Sequence, residues 1–282
     1  MKALAPFKLV CIFLLGLGIC FGQNPEKIKF ASWNIRWQSQ EDVEKGNAWS
    51  KRFEPIADVI RFFDFDIVAM QESSTNREQD LMPLLQDYDF LKTDTLEHNP
   101  ILIKKGLFAV LDQGRFYLSE TPQKKSKGWD AKHTRYCTWA KLKKDGTEFF
   151  VFNTHFDHKG KTAQAESAKL LHQVIPSIAN SVPLVLAGDF NISTSANNYS
   201  ILASIPGTVD ASERADFFYE VKKSYNYFDP IKNSKWDFDH IFVSTNIHVY
   251  RYGVLNATYY DGDTIRYPSD HSPITITFQI SH

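Results

Sequence analysis

Eleven short runs along the chain alternate or concentrate apolar residues in the way strands do. They are Ile28–Ile35, Asp66–Gln71, Ile101–Ile103, Phe108–Leu111, Arg115–Leu118, Arg135–Leu142, Phe149–Asn153, Pro183–Ala187, His240–Ser244, His248–Tyr252 and Ile274–Ile280. Each is rich in β-branched or aromatic residues and is bounded by Gly, Pro, Asp or Asn, which end strands. Elsewhere the spacing is helical: Phe53, Ile56, Ala57, Ile60 and Phe63 fall on one face, and so do Ala168, Leu171, Ile175 and Ile178. The stretch Lys124–Gly128 reads as a polar loop, either a solvated turn or a phosphate-steering element. There is no repeat, no heptad pattern and no long low-complexity linker. Strands interleaved with helices predict an α/β protein with more than one sheet, and helices outside two packed sheets would cover the exposed faces.

The chain has 282 residues, 43% of them hydrophobic, enough for one large domain with a real core or for two small ones. The formal net charge of −1 argues against tight, sequence-blind binding of DNA, although a local basic groove remains open. Lys2 and Lys8 precede an uncharged apolar run, Leu9–Phe21, that is shorter than the roughly 20 residues of a spanning helix. That pattern predicts a signal peptide over residues 1–22, cleaved before Gln23, and a mature catalytic domain over 23–282. The mature chain is then expected to be periplasmic or secreted, without a transmembrane segment, and monomeric. Lipidation at Cys20 is the alternative, disfavoured by the bulky Ile19. Of three cysteines only Cys137 lies beyond the leader, within an apolar stretch that predicts a buried thiol rather than a nucleophile.

The polar residues are placed more tellingly than the apolar ones. Four apolar strands end in Ser32-Trp33-Asn34, Gln71-Glu72, Asn153-Thr154-His155 and Gly188-Asp189-Phe190-Asn191; Asp237-Phe238-Asp239-His240 and Ser269-Asp270-His271 precede two later strands. One Asp or Asn at a strand end is usually a turn residue or a cap. Six clusters of carboxylate, amide and imidazole are the parts of metal-assisted hydrolysis: hard oxygen ligands, a base and protonatable rings. Rigid strands can hold such groups while the loops leave room for a ligand.

Taken in order, these motifs resemble those of the endonuclease/exonuclease/phosphatase superfamily, from about Ile28 to the C-terminus, with Gly-Asp-x-Asn and Ser-Asp-His the most specific pair. The resemblance implies a four-layer α/β/β/α sandwich of two packed mixed sheets flanked by helices, with the active site between the sheet edges. It implies Glu72 as the main ligand of Mg²⁺ (Mn²⁺ a possible substitute), with Asn34 and Asp270 nearby. It also implies Asp189 positioning or deprotonating water, Asn191 holding a phosphate oxygen, His271 oriented by Asp239, and His155 as a second phosphate contact or proton source. Arg135 is the candidate for bidentate phosphate binding, or else a surface strand residue. Two positions depart from the pattern: Arg36 stands where an acidic or amide residue is common, and His240 where an aromatic is common, its plain reading being a solvent-facing neighbour. Trp129 and Asp130 either line the cleft or cap the core.

The expected activity is hydrolysis of a phosphodiester or phosphomonoester, with a small or lipid-linked substrate favoured over nucleic acid by the near-neutral charge. The alternatives are a nuclease acting on DNA or RNA, a non-catalytic binding protein that kept the fold, and a carboxylate-pair glycosidase. The last two leave the full set of acids and imidazoles without a role.

Overall fold

The computed structural model describes residues 26–92 and 98–280, so the predicted leader, Cys20 included, lies outside the described residues. The first half of the fold contains β1 (Ile28–Asn34), α1 (Gln40–Glu44), α2 (Phe53–Phe63), β2 (Ile67–Gln71), α3 (Thr75–Leu81), β3 (Tyr88–Leu91), β4 (Ile101–Lys104), β5 (Ala109–Tyr117), β6 (Tyr136–Lys144) and β7 (Thr147–His155). The second contains α4 (Lys161–Ala179), β8 (Leu184–Asp189), α5 (Tyr199–Ala203), β9 (Thr208–Asp210), β10 (Phe217–Tyr219), β11 (Asp239–Ser244), β12 (Ile247–Val254), β13 (Tyr259–Asp261), β14 (Thr264–Arg266) and β15 (Ile274–Ile280). One mixed sheet runs β10-β12-β15-β1-β2-β4-β3, the other β5-β6-β7-β8-β11-β9, and β13-β14 form a separate hairpin.

Three apolar cores hold four layers together. Phe30, Ile67, Ile276 and Phe278 of the first sheet pack between the sheets with Phe149, Val151, Val185 and Ile241 of the second. Ile56, Ala57 and Ile60 of α2 and Leu81 of α3 cover the outer face of the first sheet against Ala31, Trp33, Val68 and Met70. Ala168, Leu171 and Ile175 of α4 and Leu202 of α5 cover the second against Phe150, Phe152, Leu184 and Leu186. This is the expected α/β/β/α sandwich. Central strands such as β2 and β8 are buried on both faces and therefore read as continuous apolar runs rather than alternating ones. Cys137 is a buried thiol in the core under α4, as its surroundings predicted.

Two corrections to the strand map have physical causes. Phe108–Leu111 and Arg115–Leu118 are not separate strands but parts of β5, an edge strand that runs through the polar Asp112-Gln113-Gly114 with a bulge between Val110 and Asp112. The short strands β3, β9, β10, β13 and β14, each of three or four residues, carry too little pattern to be read in advance. A third correction concerns His240: it does not face solvent but is buried, with Nε2 2.8 Å from the Ile192 carbonyl and its ring against Phe190, Phe242 and Tyr199. Among the described residues no helix is long and apolar enough to cross a membrane.

Candidate active site

The two sheets meet at the strand ends that carry the polar clusters. In the first sheet Asn34 of β1 pairs with Gln71 of β2, so Glu72 follows directly beside it. In the second, His155 of β7 pairs with Asp189 of β8, and Asp189 pairs in turn with Asp239 of β11. Two buried amides tie the sheets just below. Gln71 Nε2 donates to Asn153 Oδ1 at 2.7 Å, and Asn153 Nδ2 donates to the carbonyls of Met70 and Pro100 at 2.8 and 3.0 Å. The Ser269-Asp270-His271 segment is fastened to β1 by Ser269 Oγ donating to the Asn34 carbonyl at 2.6 Å and by Trp33 Nε1 donating to the His271 carbonyl at 2.8 Å.

Above this floor lies a cleft of about 910 Å³, whose lining includes Glu72, Arg135, His155, Asp189, Asn191, Asp270 and His271. Asn34 and Asp239 sit beneath it as supports. Asn34 Nδ2 bridges the two sheets, donating to Glu72 Oε1 at 3.1 Å and to Asp189 Oδ2 at 2.9 Å. Its Oδ1 accepts the Arg36 N–H at 2.9 Å. Asn191 donates its backbone N–H to Asp189 Oδ1 at 3.0 Å and its amide to the Phe156 carbonyl at 3.1 Å. All eight residues predicted from the sequence thus converge, together with Arg135.

The two imidazoles flank one carboxylate oxygen: His155 Nε2 is 3.4 Å and His271 Nε2 is 3.8 Å from Asp189 Oδ2. Their other nitrogens meet opposite partners. Arg135 Nη1, a donor, stands 2.9 Å from His155 Nδ1, so that nitrogen accepts and the ring proton sits on Nε2. Burial first, and then the neighbouring guanidinium, push His155 well below the usual imidazole range, so the ring is neutral. His271 Nδ1 instead donates to Asp239 Oδ2 at 2.8 Å. Burial there opposes charge, but Asp239 and Asp189 outweigh it and raise His271 to about 10. Burial raises the Asp189 carboxyl above its ordinary range, against the pull of His271. The resulting trio is a cation between two carboxylates. Although Asp189, Asp239 and His271 lie close enough to share a metal ion, a protonated ring is a poor ligand.

The oxygen donors on the other side of the floor suit a hard cation better. Glu72 is held by Asn34 and by the Trp37 backbone N–H, and its residue adopts a left-handed φ of 59° at the end of β2. Asp270 is buried; its Oδ2 lies 3.3 Å from Arg36 Nη1, while its Oδ1 is buried without a hydrogen-bond partner. An orphaned buried carboxylate oxygen beside a second carboxylate fits a divalent ion that takes oxygen ligands and keeps several waters.

The sequence did not single out the cleft walls. Trp37, His98, Arg115, Lys125, His133 and His158 all line the cleft. Lys125 comes from the polar loop whose role was left open. Asp130, by contrast, caps α4, accepting the Thr162 and Ala163 N–H groups at 3.2 and 2.7 Å. Asp157 organises the loop before Arg135, accepting the N–H groups of Lys132 and His133 at 2.9 Å each and of Gly160 at 2.8 Å. Apart from Arg115 in the edge strand β5, these residues lie on loops with no strand-end signature, and folding alone assembles them.

A family model described as the Endonuclease/Exonuclease/phosphatase family matches residues 31–271. A mannosyl-6-phosphatase from Bacteroides thetaiotaomicron VPI-5482 superposes with a TM-score of 0.86 at 35% identity, over 90% of this chain and 100% of its own. A family protein from the same organism gives 0.86 at 36% identity, covering 92% and 99%. One from Bacteroides vulgatus gives 0.82 at 29%, covering 91% and 100%. No match was found among curated proteins.

Proposed function

The chain belongs to the endonuclease/exonuclease/phosphatase family, and from that premise we propose that it is an exported, metal-dependent phosphoesterase acting on small phosphate esters, with sugar phosphates the first class to test. The observation that carries the reading is the floor of the cleft: one neutral and one cationic imidazole face the same Asp189 oxygen, beside carboxylates suited to a hard cation. The sugar-phosphate class is supported by the mannosyl-6-phosphatase at 35% identity, whose whole length aligns. The net charge of −1 weighs against a nuclease. Export rests on the leader-like pattern of residues 1–22.

Glu72 and Asp270, with Asn34 beside them, would hold Mg²⁺ or Mn²⁺, which when bound neutralises charge on the phosphoryl oxygens. Asp189 orients the attacking water and accepts its proton as the new P–O bond forms in line with the breaking ester bond. His271 has Nδ1 committed to Asp239, so its Nε2–H is left to stabilise charge on a phosphoryl oxygen. His155, neutral with its proton on Nε2, serves as a second phosphate contact, donating that N–H to a phosphoryl or departing oxygen. Arg135 and Asn191 line the same cleft and bind the phosphate from the second sheet's side.

The test is hydrolysis of mannose 6-phosphate, glycerol phosphate, bis-p-nitrophenyl phosphate, sphingomyelin and plasmid DNA, with and without EDTA. Hydrolysis of the sugar phosphate that EDTA abolishes is expected. Asp189→Ala and His271→Ala should each lower kcat about a hundredfold or more with an unchanged circular dichroism spectrum. Near-normal rates in either variant would overturn the assignment.

A further inference from the structure

Trp37 is the largest exposed ring on the cleft wall and has no part in the chemistry described above. The residue is 49% exposed, yet its ring is held by its neighbours. The Arg77 guanidinium lies over the ring, 4.4 Å from its centroid, and Arg77 itself is buried, donating to Ser74 Oγ at 2.8 Å. His98 meets the indole at right angles with ring centroids 5.6 Å apart. The Trp37 backbone N–H is hydrogen-bonded to Glu72 Oε2. A large apolar surface is therefore held open to the cleft, at the covalent reach of one side chain from the carboxylate beside which the phosphate would sit. Exposing half a tryptophan to water costs free energy that packing could have recovered, and the Arg77 and His98 contacts prevent it from folding away. Arg77, withdrawing its charge from water onto the π-face, further stiffens the platform.

Resting on the phosphoesterase reading, we propose that Trp37 is the stacking platform for the leaving group, and that the group it selects is a ring with one apolar face, a pyranose carrying its phosphate on an exocyclic carbon. The C–H face of a pyranose covers an indole, while its hydroxyls point sideways to the polar wall formed by Ser39, His98 and Asn99. An acyclic phosphate such as glycerol phosphate has no such face, so the platform distinguishes the two by contacts remote from phosphorus. Binding energy of that kind raises kcat/KM for the ring substrate without altering the chemistry.

The experiment compares kcat/KM for mannose 6-phosphate and for glycerol phosphate in the wild type, Trp37→Ala and Trp37→Phe. Trp37→Ala should lower the ratio of the two values about tenfold, mostly through KM for the sugar phosphate, and Trp37→Phe should restore most of it. A ratio unchanged in Trp37→Ala, or a loss shared equally by both substrates, overturns the proposal. If the wild type hydrolyses neither compound, the small-phosphate-ester reading fails by itself. Titration calorimetry of mannose 6-phosphate then still decides the role of Trp37: about tenfold weaker binding to Trp37→Ala sustains it, and equal or absent binding overturns it.

Discussion

His155 and His271 face the same Asp189 oxygen from 3.4 and 3.8 Å, yet their partners drive them to opposite charge states. Burial, reinforced by a guanidinium on Nδ1, keeps one neutral, and a carboxylate on Nδ1 keeps the other charged against its burial. The pH profile should follow. On the proposed mechanism the reaction uses Asp189 ionised and His271 protonated, so the alkaline limb of kcat/KM should report His271 near 10. Asp239→Asn removes the carboxylate that raises that value, so the limb should move to lower pH; an unmoved limb in stopped assays across pH 6 to 11 would assign it to another group. The same pair also contributes to stability. Because the folded value lies above the ordinary 6.5, that contribution is complete below 6.5 and is lost as pH rises through about 10. These residues were legible in advance because each ends or precedes a strand, where a polar side chain has a rigid base. Trp37 was not, since an exposed aromatic just past a strand end carries no pattern that separates a platform from a cap.

The elements that align these groups leave little room for variation. In β8, Gly188 precedes Asp189 with φ 156° and lies opposite Thr154 of β7. A Cβ there would come within 1.9 Å of the Thr154 carbonyl oxygen, so the parallel pair that sets His155 beside Asp189 can form only with glycine at this point. Gly188→Ala should cost about 2 kcal/mol or more of stability in urea denaturation and should lower kcat beyond what unfolding explains. Normal stability with normal kcat would show that the strands absorb the clash. The buried central strands and helices α2 and α4 were readable because each repeats its period over several residues. The edge strand β5 was split because Asp112 and Gln113 are exposed and Gly114 adds no side chain, so solvent rather than the core decides residue type there.

At the scale of the whole molecule, the site is where two independently covered sheets are joined, and the joint gathers Asp189, Asp239 and Asp270 out of water with Glu72 half-buried beside them. Arg36, Arg135 and His271 supply three cations against these four carboxylates, and one Asp270 oxygen remains unpaired. Burial raises the Asp270 carboxyl accordingly, a sign that its ionised form is costly without a further positive charge. A divalent ion that binds here binds only the folded chain, because the ligands come from strand ends far apart in sequence. By mass action, Mg²⁺ at a hundred times its Kd should stabilise the fold by about 2.7 kcal/mol, which raises Tm by several degrees. Glu72→Gln should abolish most of that rise, whereas Asn191→Ala, on the phosphate side of the cleft, should keep it. Calorimetric melts with Mg²⁺ and with EDTA read the difference directly. Equal rises in the wild type and Glu72→Gln would place the ion elsewhere, and with it the charge that balances this joint.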